Sequence, residues 1–289
     1  MHASLTSVVS ALLACYGSSM AAAAVAATPA QPLPVRDTVA VAAAAAATTT
    51  IIPSNSFGSQ SAFAAAWDYN YPWGTDHNGG ARMDKSQSVL DFQSNTLTIT
   101  AKPVSGQKST KQGGKTIAIH YLSGAVHAQK HITVDKGTTV ELAGDFRATV
   151  TKGTWPAFWL TAVDGWPPEV DMAEWKGSGK ISFNTFNTSS QVATKDVTYP
   201  SPGDFHAIRC VMRDENGKDV QVKFYMDGKL VTTQVGKGFT GKAMYLIINL
   251  QMEGSSGSPG PKTNTEYSAR GVSVVSYKSQ SGSSDGGRS

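Results

Sequence analysis

The chain predicts an all-β fold, a sandwich or barrel assembled from many short strands. Short runs with alternating apolar residues repeat from Phe57 onward, Gly, Asp, Asn and Lys turns separate them, and no long amphipathic helix follows. The runs at 96–100, 125–128, 139–142 and 271–275 all have period two. Segment 223–231 reads as a hairpin, an aromatic strand turning at Asp227-Gly228 into a second strand. Segment 245–250 is almost continuously apolar, as expected of a strand covered on both faces.

The chain has 289 residues, which suits one large β domain between two atypical ends. Residues 1–27 carry no Lys, Arg or acidic side chain. An apolar stretch from Leu5 to Tyr16 precedes small residues, the pattern of a signal peptide, and predicts secretion to the extracellular space. Residues 28–54 are rich in Ala, Thr and Pro and read as a linker or pro-segment. The sandwich is expected over 55–278, followed by a Ser/Gly-rich tail at 279–289. The body contains no run of 18 apolar residues, so no membrane partner is expected. A net charge of +4 without a basic block gives no support to nucleic-acid binding. Cys15 lies in the signal-like segment, which leaves Cys210 alone between apolar neighbours and predicts a buried thiol without a disulfide.

Chemistry concentrates in segment 165–175, where Glu169, Asp171 and Glu174 fall within six residues between Trp166 and Trp175. On a helix, positions five apart diverge by roughly 140°, and Gly177-Ser178-Gly179 ends the stretch early. On a strand, 169 and 171 share a face and strict alternation sends 174 to the other. One inserted residue, a β-bulge, returns Glu174 to the face of Glu169. Four effective strand steps span roughly 13 Å. Two Glu side chains leaning together can close that to the ~5–5.5 Å of a retaining glycosidase pair, and two Asp side chains cannot. A solvated acidic strand face is the bland alternative, and it leaves both tryptophans unexplained.

Glu169-x-Asp171-x-x-Glu174 resembles the signature of glycoside hydrolase family 16 in its bulged, laminarinase-like form. Segments 152–160, 121–124, 224–228 and 244–250 resemble further family motifs in the right order, so the likeness spans roughly 57–278. It implies a β-jelly-roll, concanavalin A-like sandwich of two antiparallel sheets with an open concave cleft for β-linked polysaccharide. By the same resemblance Glu169 matches the nucleophile, Glu174 the acid/base and Asp171 the supporting carboxylate. Such a mechanism needs Glu174 protonated while Glu169 is ionised. Burial beside Trp175 and repulsion from the other carboxylates are the expected causes.

Sugar C–H faces pack on aromatic rings, and by the same resemblance Trp166, Asn184, Asn78 and Asn249 match positions along the family's cleft; Trp159, Trp175 and Gln251 complete the candidate substrate-binding residues. Trp155, Ala157 and Trp159 share one strand face, which is either cleft or core. Asn78-Gly79 is also a turn sequence. Gln251 stands where the lichenase-like branch of the family has tryptophan. Arg82, Arg147, Arg209 and Arg213 are scattered rather than clustered for sulfate, so a neutral β-1,3- or mixed β-1,3/1,4-glucan is the preferred substrate. A galactan hydrolase or transglycosylase of the same fold is the alternative, and a non-catalytic carbohydrate-binding protein is a third reading. The histidines lack zinc-ligand spacing, so no cofactor is expected; the structural Ca2+ known in relatives has no position identifiable here. Asn187-Thr188-Ser189 is a glycosylation sequon. The expected partner is a polysaccharide, bound by a monomer.

Overall fold

A computed structural model of the chain describes residues 48–279. The signal-like segment, most of the linker and nearly all of the tail lie outside the described residues. Two stacked, almost wholly antiparallel sheets form a jelly-roll sandwich. The first sheet runs, in spatial order, Gln191–Thr198, Lys180–Thr188, Glu169–Glu174, Thr154–Ala162, Met244–Met252, Ala125–Ala128 and Trp67–Tyr69. The second is built around Thr138–Arg147 and Thr265–Lys278, with the hairpin Val220–Met226 and Lys229–Gly236 at one edge. That hairpin turns at Asp227 and Gly228, both at positive φ, as an Asp-Gly turn requires.

Alternation builds the core. Phe158 and Leu160 point inward from Thr154–Ala162, as do Leu246, Ile248 and Leu250 from Met244–Met252, and all are buried. Facing them are Leu142 and Phe146 of Thr138–Arg147, with Cys210 and Met212 of His206–Asp214. Ring pairs stitch the sheets together: Phe146 to Phe158 at 4.7 Å and Phe183 to Phe224 at 5.6 Å between centroids. Cys210 is a buried free thiol in this layer.

The sandwich begins earlier than the composition suggests. Thr49–Ile52 pairs with Thr265–Lys278, and Ile52 is buried, so residues 49–52 belong to the domain and not to the linker. The β-branched run Thr-Thr-Ile-Ile carries strand propensity that the preceding alanines obscure. At the other end, Ser279 donates its N–H to Gly137 O directly after the last strand.

Candidate active site

The outer face of the first sheet carries the carboxylates. Along Glu169–Glu174, Asp171 pairs with Trp159 while Ala173 pairs with Phe158, leaving Met172 as an inserted residue. The same slip separates Asp171–Asn184 from Glu174–Ser182 on the other side. This bulge turns Glu169, Asp171 and Glu174 toward one face while Val170 and Met172 fill the core.

Each carboxylate is held by named donors. Trp166 Nε1 donates to Glu169 Oε2 at 2.8 Å, and Trp155 Nε1 donates to Glu174 Oε1 at 2.7 Å. Asn184 Nδ2 donates to both Asp171 Oδ2 (2.8 Å) and Glu174 Oε2 (3.0 Å). Lys176 Nζ lies 2.7 Å from Glu174 Oε2. Burial, then repulsion from Glu174 and Glu169, holds Asp171 well above the usual carboxylate range. Burial pushes Glu169 up to about 7; the Trp166 N–H opposes this, Glu174 reinforces it and Lys176 opposes it. Burial and mutual repulsion therefore oppose full ionisation of the cluster, and both Asp171 and Glu169 hold their protons more tightly than free carboxyls do.

A cleft of about 460 Å³ opens over these groups. Trp155, Ala157 and Trp159 all face it, which resolves their shared strand face as cleft. Trp159 Nε1 donates to Asn249 Oδ1 at 2.7 Å, so Asn249 braces the floor while bordering the cleft. Trp166 is 49% exposed and packs on Phe186, at 5.8 Å between ring centroids. Asn78 lies on the rim and adopts φ 51°, so the turn and rim readings hold together.

Three expectations for substrate-binding residues need correction. Trp175 is fully buried between Tyr199 and Tyr267, because alternation after the bulge sends the residue beyond Glu174 into the core. It therefore neither meets a sugar nor supplies the cleft-side burial expected beside Glu174. Asn184 is buried and spends its amide hydrogens on Asp171 and Glu174, which makes it a strut for the carboxylates. Gln251 borders the cleft, but its amide is committed to backbone: Oε1 accepts from Ala81 N and Met252 N, and Nε2 donates to His77 O. The sequon residue Asn187 is likewise engaged, donating to Val235 O and accepting from Lys237 N.

No family model matches the chain. Over 228 residues it is 53% identical to the galactan endo-beta-1,3-galactanase of Flammulina velutipes, covering 78% of this chain and 90% of that protein. The chain belongs to glycoside hydrolase family 16. It is accordingly a glycoside hydrolase. The family-16 chain is also 24% identical over 225 residues to endo-1,3-1,4-beta-glycanase ExsH of Rhizobium meliloti (strain 1021), covering 71% of this chain and 46% of that protein. Among solved structures, the endo-1,3-beta-glucanase from Streptomyces sioyaensis shares its fold with a TM-score of 0.59 at 20% identity, covering 74% of this chain and 90% of that one.

Two cleft residues of this family-16 hydrolase escape a reading by motif. Trp73 and His77 come from the loop after Trp67–Tyr69 and wall one end of the cleft. Burial lowers His77 to about 4, so it stands there as a neutral ring. Their only sequence signal is the density of aromatic residues at 69–77, since a loop has no periodicity to read.

Proposed function

We propose that this family-16 chain is a secreted, retaining endo-β-1,3-galactanase using Glu169 as nucleophile and Glu174 as acid/base. Endo-β-1,3-glycanase activity of the family-16 kind is the coarser reading that its relatives support. The observation that carries the galactan assignment is the 53% identity, over 90% of its length, with a protein named as a β-1,3-galactanase. That likeness outweighs the preference for glucan drawn from arginine spacing, which separates neutral from sulfated polymers and not one neutral hexose from another.

In this reading Glu169 attacks the anomeric carbon, forming a glycosyl-enzyme ester as the bond to the leaving oxygen breaks. Glu174 gives that oxygen a proton, then takes one from the water that hydrolyses the ester. Asp171, buried between them and slow to ionise, limits the charge of the cluster, and the N–H groups of Trp166 and Trp155 fix the two glutamates. The mutual facing of the three carboxylates across the bulge supports this assignment. Secretion rests on the apolar, small-residue pattern of 1–27.

β-1,3-Glucan is the second reading, favoured by the fold shared with the Streptomyces sioyaensis glucanase. Reducing-sugar release from β-1,3-galactan, laminarin, mixed-linkage glucan and agarose, by wild type and Glu169→Ala, separates them. Activity on galactan that vanishes in the variant is expected. Activity confined to laminarin moves the assignment to glucan.

A further inference from the structure

Trp73 is 46% exposed, among the most exposed large apolar residues in the described chain. Its ring stacks on Tyr71 at 5.3 Å with an interplanar angle of 4°. Its surroundings are completed by His77 at 5.2 Å, Trp159 at 6.2 Å and Tyr245 at 6.5 Å. One face is thus covered and its orientation fixed from several sides, while the rest looks into the cleft. A flat aromatic surface held rigidly at the end of a polysaccharide cleft is suited to the C–H face of a sugar.

Gln251 makes that wall rigid. It grips the loop at His77 O and Ala81 N, and Gly80 N donates to Met252 O at 2.7 Å beside it. Gly79 lies so close that a Cβ there would come within 2.5 Å of Met252 O and 2.6 Å of Gln251 Cγ. The loop is therefore seated on the end of Met244–Met252 through a buried amide whose Nε2 also reaches Ala81 O at 3.3 Å.

We infer that Trp73 is a sugar-binding platform for a galactosyl unit of the polymer, and that Gln251 is the positioning residue that holds it. The assignment rests on the β-1,3-galactanase reading. Trp159 and Tyr245 lie on the two strands beyond the carboxylate strand, and neighbouring strands are about 4.8 Å apart. The platform therefore serves a sugar beyond the one undergoing cleavage. Trp166 with Phe186 lies toward Lys180–Thr188, on the other side of the carboxylates in the sheet order. Galactose suits an indole because its axial O4 leaves the C3, C4 and C5 hydrogens as an uninterrupted apolar patch on the opposite face. His77, neutral and stacked on Trp159 at 5.5 Å, extends the wall without adding charge.

The test uses linear β-1,3-galactooligosaccharides of graded length with wild type, Trp73→Ala, Trp73→Phe, Gln251→Ala and the Trp73→Ala/Gln251→Ala double variant. Steady-state constants, product lengths and melting temperatures are recorded for each. Trp73→Ala is expected to raise KM about ten-fold and shift the cleavage pattern while melting as wild type does, because it removes a ring that meets sugar and not core. Trp73→Phe is expected to restore most of the loss. Gln251→Ala is expected to raise KM similarly, with little further change in the double variant, because the two residues act as one unit. If wild type cuts galactan and Trp73→Ala keeps its KM and product lengths, the platform is overturned, whatever Gln251→Ala does to folding. If wild type cuts laminarin and not galactan, the functional reading fails, and the galactosyl assignment fails with it.

Discussion

Lys176 Nζ stands 2.7 Å from Glu174 Oε2, an ammonium directly against the carboxylate assigned as acid/base. Lys176 also lowers the pKa values of Glu169 and Asp171, so one cation counterbalances the whole cluster. The other charged group that acts on it is Asp196, on the neighbouring strand Gln191–Thr198. Removing the cation makes ionisation of Glu169 harder. For Lys176→Met the acidic limb of kcat/KM against pH is expected to move upward by on the order of half a pH unit. An unmoved limb in a folded variant would show that Lys176 is electrostatically silent.

Burial of Glu169 carries a cost in stability. Its pKa lies near 4.5 when unfolded and about 7 when folded. A raised value means that the folded state keeps its proton longer. The associated stability is fully present below about pH 4.5 and is lost as pH rises through 7. Glu169→Gln removes this loss. The variant is expected to be more stable than wild type at pH 8, by on the order of 2 kcal/mol, and little changed at pH 4. Its activity is expected to fall at least about a thousand-fold. Denaturant melts at the two pH values check the sign.

Trp155 Nε1 supplies Glu174 Oε1 with a hydrogen bond of 2.7 Å, and the close approach of Gly254 to its ring holds the indole in place. Trp155→Phe keeps much of the ring and removes the donor. A side-chain hydrogen bond contributes roughly 0.5–1.5 kcal/mol, so kcat is expected to drop several-fold. A rise in KM alone, with kcat preserved, would make Trp155 a binding surface instead.

The two tryptophans that bracket the carboxylates are expected to behave oppositely. Trp175→Ala empties a core site and is expected to cost about 3–5 kcal/mol in thermal or chemical unfolding. Trp166→Ala, at an exposed position, is expected to leave stability nearly unchanged and to impair catalysis. Equal melting curves for the two variants would contradict the burial of Trp175.

Much of this architecture is legible in the sequence. Period-two runs predict the strands, and the spacing of 169, 171 and 174 requires the bulge that Met172 supplies. The same alternation, carried one residue further, sends Trp175 inward; its nearness in sequence to the carboxylates concealed that. The role of Gln251 is not legible there, because an amide on a cleft-facing position looks the same whether it meets a ligand or a loop. Only the partners His77 O and Ala81 N distinguish the two cases, and they lie about 170 residues away in sequence. Trp73 owes its position to that anchored loop, so no local pattern announces it.

The most direct test of the central claim follows the first product of β-1,3-galactan cleavage by proton NMR before mutarotation, with Glu169→Gln run alongside. A double displacement through Glu169 predicts the β-anomer first and no turnover in the variant. An α-anomer appearing first, or a variant that still turns over at the wild-type rate, would contradict it.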